Sequence, residues 1–430
     1  MGFQQGLSGV GAAAKQLDVI GNNVANSSTV GFKQSRAEFA DMFASSYYGV
    51  SATQNGIGAT VQAVAQQMNQ GNINITNNQM DLAISGNGFF ITQTTNGQAY
   101  TRNGQFQVDK DGYIVNNGDK LMGWGVVPDS NPAKMREGEL QTLKVNTDMI
   151  QPVASDGGTT PIKMVRLTTN LDSRQTVPPA ATPFSTTDPT TYNHSTSATL
   201  YDSLGNPLTL TTYYRKKASN EWEVYARINN PNMPASASNP TMLNSGAAQS
   251  LSFNSDGTLS TPAGGSLAFG SYTSIAGANP LTVTLDVGSG KSGTTQFGNT
   301  FAVNELNQVG YASAALTGLQ VDKTGVIKAR YSNGQTKDIG QVVLANFKNS
   351  QGLQSVGSNR WMETLSSGSP TLNNPGSTNV GLVQSGALED SNVDLTSELV
   401  NMITAQRYYQ ANAQTIKVQD AVMQTLINLR

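Results

Sequence analysis

The sequence predicts a multidomain chain: α-helical coiled-coil ends that pack together, and a long middle of two nested, mostly β domains. Near both ends, apolar residues recur at alternating steps of three and four, which is the spacing of a coiled-coil seam. Between the ends, Asn-Gly pairs and a repeated hairpin pattern indicate short strands. At 430 residues, the chain suits about two to four domains rather than one.

The N-terminal stretch predicts the shorter helix. Alanines at 12–14 raise the helix propensity, and the asparagines at 22, 23 and 26 break the pattern. The predicted seam consists of Leu7, Val10, Ala14, Leu17, Gly21 and Val24.

The C-terminal stretch predicts a longer helix over residues 395–429, which is roughly 50 Å at about 1.5 Å per residue. Asp394 is a suitable N-cap, and no Gly or Pro interrupts the stretch. Gln406 and Asp420 interrupt the apolar seam and leave its register open. The seam consists of Leu395, Leu399, Met402, Gln406, Tyr409, Ala413, Ile416, Asp420, Met423 and Ile427.

A helix this long is not stabilised by propensity alone, so it has to bury its apolar stripe. The N-terminal helix is the comparable partner within the chain, but it is shorter. Part of the C-terminal stripe is therefore expected to contact neighbouring molecules, and the two ends together predict a polymer interface. A purely intramolecular helical hairpin remains the alternative.

The middle of the chain carries two kinds of turn signal. Asn-Gly pairs, the strongest short-range hairpin signal, begin at Asn96, Asn103, Asn117 and Asn333. A second pattern occurs three times, in 106–114, 319–327 and, more weakly, 251–259. Its aspartates could suggest calcium, but the longer ligand pattern is missing, so plain turns are predicted.

A change of composition divides the middle. Residues from about 147 to 305 are rich in Thr, Pro, Ser and Asn, which predicts a β domain inserted into another β domain. The predicted divisions are an N-terminal helix (1–30), a linking segment (31–71), an inner β domain in two parts (72–146 and 306–385), an outer β domain (147–305) and a C-terminal helix (386–430).

Composition excludes several functions. Charged residues make up only 13% of the chain, against about 25% in an ordinary soluble protein, and this favours association. A net charge of −2 gives no basic field for nucleic acid. The absence of cysteine excludes disulfides and thiolate sites. The N-terminus has no basic and apolar regions of a signal peptide, and no apolar run reaches the roughly 20 residues of a membrane span.

The residues offer no positive argument for an enzyme, a metal or a cofactor. His194, the single histidine, lies beside Pro-rich sequence and is expected in a surface loop. The stretch 288–292, Gly-Ser-Gly-Lys-Ser, lacks the earlier glycine of a phosphate-binding loop, since Leu285 stands there. The sequence after it suggests a loop or strand rather than the required helix.

Both ends also carry motifs that resemble the flagellar rod and hook axial protein family. Further matches lie at 81–90 and 340–347. At the N-terminal end the resemblance rests on Asp18, Asn22, Asn23, Asn26, Gly31, Phe32 and Lys33, and at the C-terminal end on Asn392, Asp394, Gln406 and Arg407.

The long insertion, with its 200–207 and 222–225 motifs, resembles the outer domain of hook members more than the shorter rod members. The resemblance implies a self-assembling, flexible tubular universal joint that carries torque. It implies a homo-polymer with the distal rod, the hook cap and the hook–filament junction proteins as partners, exported by the flagellar type III apparatus without a cleaved signal peptide to an extracellular hook. It also places segment 31–70, with Phe32, Phe39, Phe43 and Tyr47, as a wedge between the tube and the β domains. The alternatives are a distal rod or hook-associated protein and, in a different class, a β-rich surface adhesin.

Overall fold

A computed structural model describes residues 2–42, 56, 58–127, 134–156, 165–179, 182–233, 239–275 and 277–428. The described chain forms two compact units. Unit 1 contains residues 1–147, 317–330 and 336–430, and unit 2 contains residues 148–316 and 331–335. Phe43 and Tyr47, two of the predicted wedge residues, lie outside the described residues.

The chain begins with one helix followed by ten strands of unit 1. The elements are α1 (Gly2–Ala25), β1 (Ser35–Met42), β2 (Gly58–Gln66), β3 (Ile73–Ile75), β4 (Leu82–Ser85), β5 (Phe89–Thr94), β6 (Gly97–Thr101), β7 (Gln107–Val108), β8 (Ile114–Asn116), β9 (Asp119–Val126) and β10 (Met135–Thr142).

Unit 2 follows with eleven strands, which form one sheet among the described residues. They are β11 (Val165–Asn170), β12 (His194–Tyr201), β13 (Pro207–Ala218), β14 (Glu221–Asn229), β15 (Thr241–Met242), β16 (Gln249–Phe253), β17 (Thr258–Thr261), β18 (Ser266–Tyr272), β19 (Leu281–Asp286), β20 (Gly290–Thr295) and β21 (Ala302–Gln308).

The chain ends with nine strands and the long helix. They are β22 (Leu316–Val321), β23 (Val326–Tyr331), β24 (Thr336–Val342), β25 (Leu344–Asn346), β26 (Gln354–Gly357), β27 (Arg360–Met362), β28 (Thr371–Asn373), β29 (Leu382–Ser385), β30 (Ala387–Glu389) and α2 (Leu395–Asn428). Short 3-10 turns cover Pro189–Thr191, Leu243–Gly246 and Ser350–Gly352.

Unit 1 is held by strands from both halves of the chain. Its large sheet runs in the order β22-β23-β24-β9-β5-β6-β27-β26, so three strands from before unit 2 lie between strands from after it. Its core packs aromatic rings edge to face. The ring centroids of Phe89 and Trp361 are 5.6 Å apart, and those of Tyr100 and Phe347 are 4.8 Å apart. Two smaller pairs, β4 with β29 and β3 with β30, also join the two halves.

Unit 2 has its own apolar core, which includes the fully buried Trp222 and Tyr214. Its sheet runs in the order β12-β13-β14-β16-β17-β20-β11-β19-β18. Strand β11 pairs with β21 antiparallel and with β19 and β20 in parallel. The alternating burial of β13 and β14 shows that each presents one face to this core.

The repeated hairpin pattern forms the same kind of turn in all three of its copies, and the 200–207 motif forms this turn as well. In three of these turns an aspartate, at position 109, 202 or 322, accepts hydrogen bonds from the backbone N–H groups two and four residues later. The weaker copy at Asn254 keeps the same backbone hydrogen bonds. These side chains serve their own turns, and no group of acidic residues in the described ranges could hold a metal ion.

Three of the four Asn-Gly pairs form hairpins, and the fourth prediction was wrong. The pairs at 96, 117 and 333 connect β5 to β6, β8 to β9 and β23 to β24. Asn103 and Gly104 are buried between β6 and β7 instead. A Cβ at Gly104 would lie 1.6 Å from the Leu82 carbonyl oxygen, so glycine is needed there for a close backbone approach.

Candidate functional site: the junction of the two chain ends

The two helices contact one another in opposite chain directions. Near the start of α1, a Cβ added to Gly6 would lie 2.9 Å from Ile416 Cγ1, and one added to Gly9 would lie 2.6 Å from the Asn412 side chain. Near its end, Asn23 reaches Glu398. Glycine therefore allows the N-terminal half of α1 to approach α2 more closely than any larger residue would.

Asn23 is the first of the polar contacts that tie the ends together, and its side chain is buried. Its amide nitrogen donates to the Ser35 carbonyl (2.8 Å) and to Glu398 Oε2 (3.0 Å). Its amide oxygen accepts from the Ser35 backbone N–H at 2.9 Å. Gln34 Nε2 donates to the other oxygen of Glu398 at 2.8 Å. One carboxylate of α2 thus fixes both the end of α1 and the chain that leaves it.

Glu389 lies between two cations in the interior of unit 1. Lys33 Nζ donates to its Oε1 at 2.6 Å, and Arg102 donates to its Oε2 at 2.9 Å. The side chains of Lys33 and Glu389 are fully buried, and that of Arg102 is 3% exposed. The Gly71 backbone N–H also donates to Glu389. This network joins three distant parts of the sequence.

Burial and the neighbouring charges shift the pKa values of Glu389 and Lys33 in opposite directions. Burial alone would raise the pKa of Glu389, but Arg102 and Lys33 outweigh it and hold the pKa of this carboxyl below its usual value. Burial lowers the pKa of Lys33, and the attraction of Glu389 offsets that only in part. The carboxylate is therefore ionised in the folded chain.

Asn392 and Asp394 fix the start of α2. Asn392 accepts from the Gln34 backbone N–H at 2.7 Å and donates to the Gln67 carbonyl at 2.8 Å. Asp394 accepts hydrogen bonds from the Thr396 and Ser397 N–H groups and so is the N-cap that the sequence predicts. These bonds lower the pKa of Asp394. We call the side chains of Asn23, Lys33, Gln34, Arg102, Glu389, Asn392 and Glu398 the end junction.

Other residues of the predicted family motifs lie around the end junction. Asn26 donates to the Asn22 carbonyl at 2.9 Å and so closes the end of α1. Gly31, with a φ of 71°, donates its N–H to the Glu389 carbonyl and has no room for a Cβ beside Asn103. Exposed or half-buried positions are occupied by Asp18, Asn22, Phe32, Gln406 and Arg407.

The predicted seam of α1 is displaced by one residue from the helix face that is buried here. The buried residues are Gly6, Ala13, Ile20 and Asn23, together with Val19. Leu7 is 57% exposed, whereas Val10, Ala14, Leu17 and Val24 are half-buried. The contact of the two helices within the chain therefore leaves Leu7 of the predicted seam exposed, while the other seam residues are covered in part.

On α2, the predicted seam residues fall into two groups. Met402, Ala413 and Ile416 are half-buried on the side of α1. Exposed fractions between 41% and 70% are found for Leu395, Leu399, Tyr409, Met423 and Ile427.

The last turns of α2 have no α1 residue opposite them. Because Gly6 faces Ile416 and Asn23 faces Glu398, the start of α1 lies opposite a point near residue 420 at the rise of about 1.5 Å per residue. Beyond that point Val422, Met423 and Ile427 are 53%, 59% and 70% exposed. We call these three residues the α2 extension.

Sequence reasoning did not assign roles to Arg102, Gln34, Glu389 or Glu398. The two glutamates lie within the C-terminal family motif, and the 13% content of charged residues makes each charge conspicuous. Their partners could not be found from spacing, because Arg102 and Glu389 are 287 residues apart. In the described residues, no helix is long and apolar enough to span a membrane.

Four family descriptions match the chain from end to end. They are "Flagella basal body rod protein" at 3–33, "Flagellar hook protein FlgE/F/G D1 domain" at 83–149, "Flagellar basal body protein FlaE D2 domain" at 170–311 and "Flagellar basal body rod FlgEFG protein C-terminal" at 384–429. Over the full length of both chains, the sequence is 40% identical to the flagellar hook protein FlgE of Escherichia coli K12. The chain belongs to the flagellar hook protein family.

Other hook proteins extend this relationship. The Salmonella typhimurium flagellar hook protein FlgE is 41% identical over all of both chains, and that of Borreliella burgdorferi is 33% identical over 99% of this chain and 98% of its own. The crystal structure of Helicobacter pylori flagellar hook protein FlgE2 aligns over 74% of this hook-family chain and 100% of its own. With a TM-score of 0.53 and 15% identity, it shows a shared fold.

Proposed function

We propose that this chain is the structural subunit of a bacterial flagellar hook and that it self-assembles into a flexible tube through its terminal helices. Full-length relatives named as flagellar hook proteins support the role. The observation that carries the assembly step is the uncovered apolar surface of α2, above all the α2 extension.

Within a single chain, none of the described residues covers this surface. Transfer of a Val, Ile or Met side chain out of water stabilises an interface by about 1.5–3 kcal/mol when burial is complete. Apolar residues on the outward side of α1 are exposed too, with Phe3 at 52% and Leu7 at 57%. In a tube of identical subunits, the exposed stripes of neighbouring helices cover one another as a coiled-coil-like layer.

The same proposal assigns roles to the rest of the chain. The end junction sets the geometry with which the helix pair leaves the strands of unit 1. Unit 2, inserted between the two parts of unit 1, is the outer domain, and its polar surface lets subunits slide as the tube bends. The expected partners are the distal rod, the hook cap, the hook–filament junction proteins and the type III export apparatus, with the hook outside the cell.

Assembly of a form that lacks residues 1–26 and 391–430 tests the proposal. The intact chain is expected to form tubes under negative-stain electron microscopy, and the trimmed form is expected to stay monomeric. Circular dichroism of the trimmed form checks that its β units stay folded. Equal assembly by the trimmed form would show that the helices form only an intramolecular hairpin and would contradict the proposal.

A further inference from the structure

A polar groove opens on the surface of unit 2 and has no part in the helix contacts. Its volume is about 540 Å³, within the roughly 300–1,000 Å³ of ligand pockets. One wall is residues 291–293 of β20, which belong to the Gly-Ser-Gly-Lys-Ser stretch, and the other walls are β11, β21 and the loop at 297–300. We call it the unit 2 groove.

Asn170 holds the loop that forms the rim of the groove. The Asn170 side chain is buried, and its amide nitrogen donates to the carbonyls of Asn299 (3.1 Å) and Thr300 (3.4 Å). Its amide oxygen accepts from Thr295 Oγ1 at 3.0 Å and from the Phe297 N–H at 3.1 Å. Four bonds from one buried side chain make the rim a preformed structure rather than a free loop.

Phe297 presents an aromatic ring from this rim. Its backbone is fixed on both sides, since its carbonyl also accepts from the Ser173 N–H at 3.1 Å. The ring lies so close to Gly257 that a Cβ there would be 2.8 Å from two ring carbons, yet the residue is 44% exposed. A rigidly held, exposed ring on a polar surface has no role in the core of unit 2.

Positive and negative side chains balance one another around the groove. Glu305 accepts a 2.7 Å hydrogen bond from Arg166, which also lies 3.6 Å from Asp286. The charged side chains that line the groove are one cation, Lys291, and one anion, Glu305. A phosphate or other anion would therefore find no excess positive charge. Residues 291–293 lie within strand β20, and the helix that a phosphate-binding loop requires does not follow them.

Uncharged polar groups remain available in the groove. The side chains of Thr168, Asn299, Thr300 and Asn304 line it and make no hydrogen bond within the described ranges. They supply hydroxyl and amide groups that both donate and accept.

From this combination we infer that the unit 2 groove binds a neutral carbohydrate, with Phe297 as the stacking platform and Asn299, Thr300 and Asn304 as partners for its hydroxyl groups. The C–H face of a sugar ring is attracted by the negative face of an aromatic ring, and its hydroxyls match amide and hydroxyl side chains. An apolar ligand would leave these polar groups without partners. This inference does not depend on tube formation.

Glycan binding by the full-length protein tests the inference. An array of neutral oligosaccharides, including chitotriose, maltotriose and cellotriose, identifies a ligand, and titration calorimetry then measures its Kd. Phe297→Ala and Asn304→Ala are each expected to weaken binding at least tenfold. Val303→Ala is the matched control, because Val303 is the neighbouring exposed residue of β21 and does not line the groove.

Two results would overturn the inference. One is the absence of binding to every neutral glycan of the array, checked by saturation-transfer NMR at millimolar sugar. The other is a Kd that Phe297→Ala leaves unchanged while its circular dichroism matches the unaltered chain. Altered tube assembly by Phe297→Ala, without glycan binding, would make the groove a contact between copies of the chain.

Discussion

The carboxylate of Glu389 is fully buried and is held by Lys33, Arg102 and the Gly71 N–H. A buried ion pair adds little net stability compared with apolar residues of the same shape, but the loss of one partner is expensive because the other charge stays buried. Here two cations depend on one carboxylate. The end junction therefore defines a single geometry for the chain ends rather than simply adding stability.

Glu389→Gln keeps the shape of the side chain and removes its charge. We expect the free energy of unfolding of the full-length chain to fall by about 3–5 kcal/mol, because Lys33 and Arg102 lose their counterion. Urea unfolding followed by circular dichroism measures the change.

Arg36→Gln is the control for this substitution, since Arg36 and its partner Glu38 are 67% and 40% exposed. An exposed pair contributes at most about 1 kcal/mol, so this variant should unfold almost as the unaltered chain does. A Glu389→Gln chain that is no less stable than Arg36→Gln would show that the buried network does not hold the ends.

His194 was expected in a surface loop, but it begins β12, is half-buried and stacks 4.5 Å from the Phe301 ring. Its Nε2 is buried and has no hydrogen-bond partner in the described ranges. Burial lowers the pKa of this imidazole from its usual value of 6.5, although Asp172 opposes the shift. Hydrogen bonds from Arg174 lower the pKa of Asp172 to about 2, so this carboxylate stays charged near neutral pH.

This environment predicts a pH dependence for unit 2. Below about pH 6.5 the unfolded chain binds a proton at His194 more readily than the folded chain does. The contribution of neutral His194 to the free energy of unfolding is therefore fully present above that pH and is lost as the pH decreases. We expect His194→Gln to lose less stability than the unaltered chain between pH 7.5 and 5.5 in thermal unfolding. Parallel loss in the two proteins would mean that His194 is not responsible.

At the scale of the elements, the pairing of α1 with α2 depends on which glycines face the partner helix. Gly6 and Gly9 have no room for a Cβ, whereas Gly11 and Gly21 face open space within the chain. The predicted seam includes Gly21 and leaves out Gly6 and Gly9, which are the two glycines that face α2. The sequence pattern therefore predicts the helices but not the face that pairs.

Alanine substitutions distinguish the two kinds of glycine. Gly6→Ala and Gly9→Ala are expected to destabilise the helix pair by about 1–3 kcal/mol through overpacking against Ile416 and Asn412. Gly11→Ala should instead stabilise α1 by up to about 1 kcal/mol, because alanine has the higher helix propensity. Thermal unfolding followed by circular dichroism at 222 nm measures both changes in stability. A stabilising Gly9→Ala would mean that the helices do not approach at this point.

Local signals predicted the elements well. The sequence predicts α2 over residues 395–429 from the N-cap at Asp394 and the seam without Gly or Pro. The structure has α2 at Leu395–Asn428, which differs by one residue. The asparagines after residue 21 predict the end of α1, which is at Ala25.

Long-range pairings lay beyond local signals. Strand β11 joins three strands that follow it by more than a hundred residues, and no turn residue specifies that register. The partners of Glu389 come from residues 33 and 102 for the same reason. The Asn-Gly signal failed at Asn103 because Gly104 meets the backbone of a distant strand.

At the scale of the whole molecule, the chain has two folded units and an apolar surface on its helix pair that neither helix covers. Low charge lets such surfaces approach one another without strong repulsion. Loss of the α2 extension should prevent assembly and leave each chain folded, because these three residues have no α1 residue opposite them. Trimming whole helices cannot separate these effects as cleanly.

The measurement that tests tube formation most directly is therefore electron microscopy of a Val422→Ala, Met423→Ala, Ile427→Ala chain beside a Gln419→Ala, Gln424→Ala, Thr425→Ala control. All six positions are exposed and lie in the same part of α2. We expect the control to form tubes and the apolar variant to need at least a tenfold higher concentration, since a loss of about 1.4 kcal/mol gives that factor. Tubes from both chains at the same concentration would contradict assembly through the α2 extension.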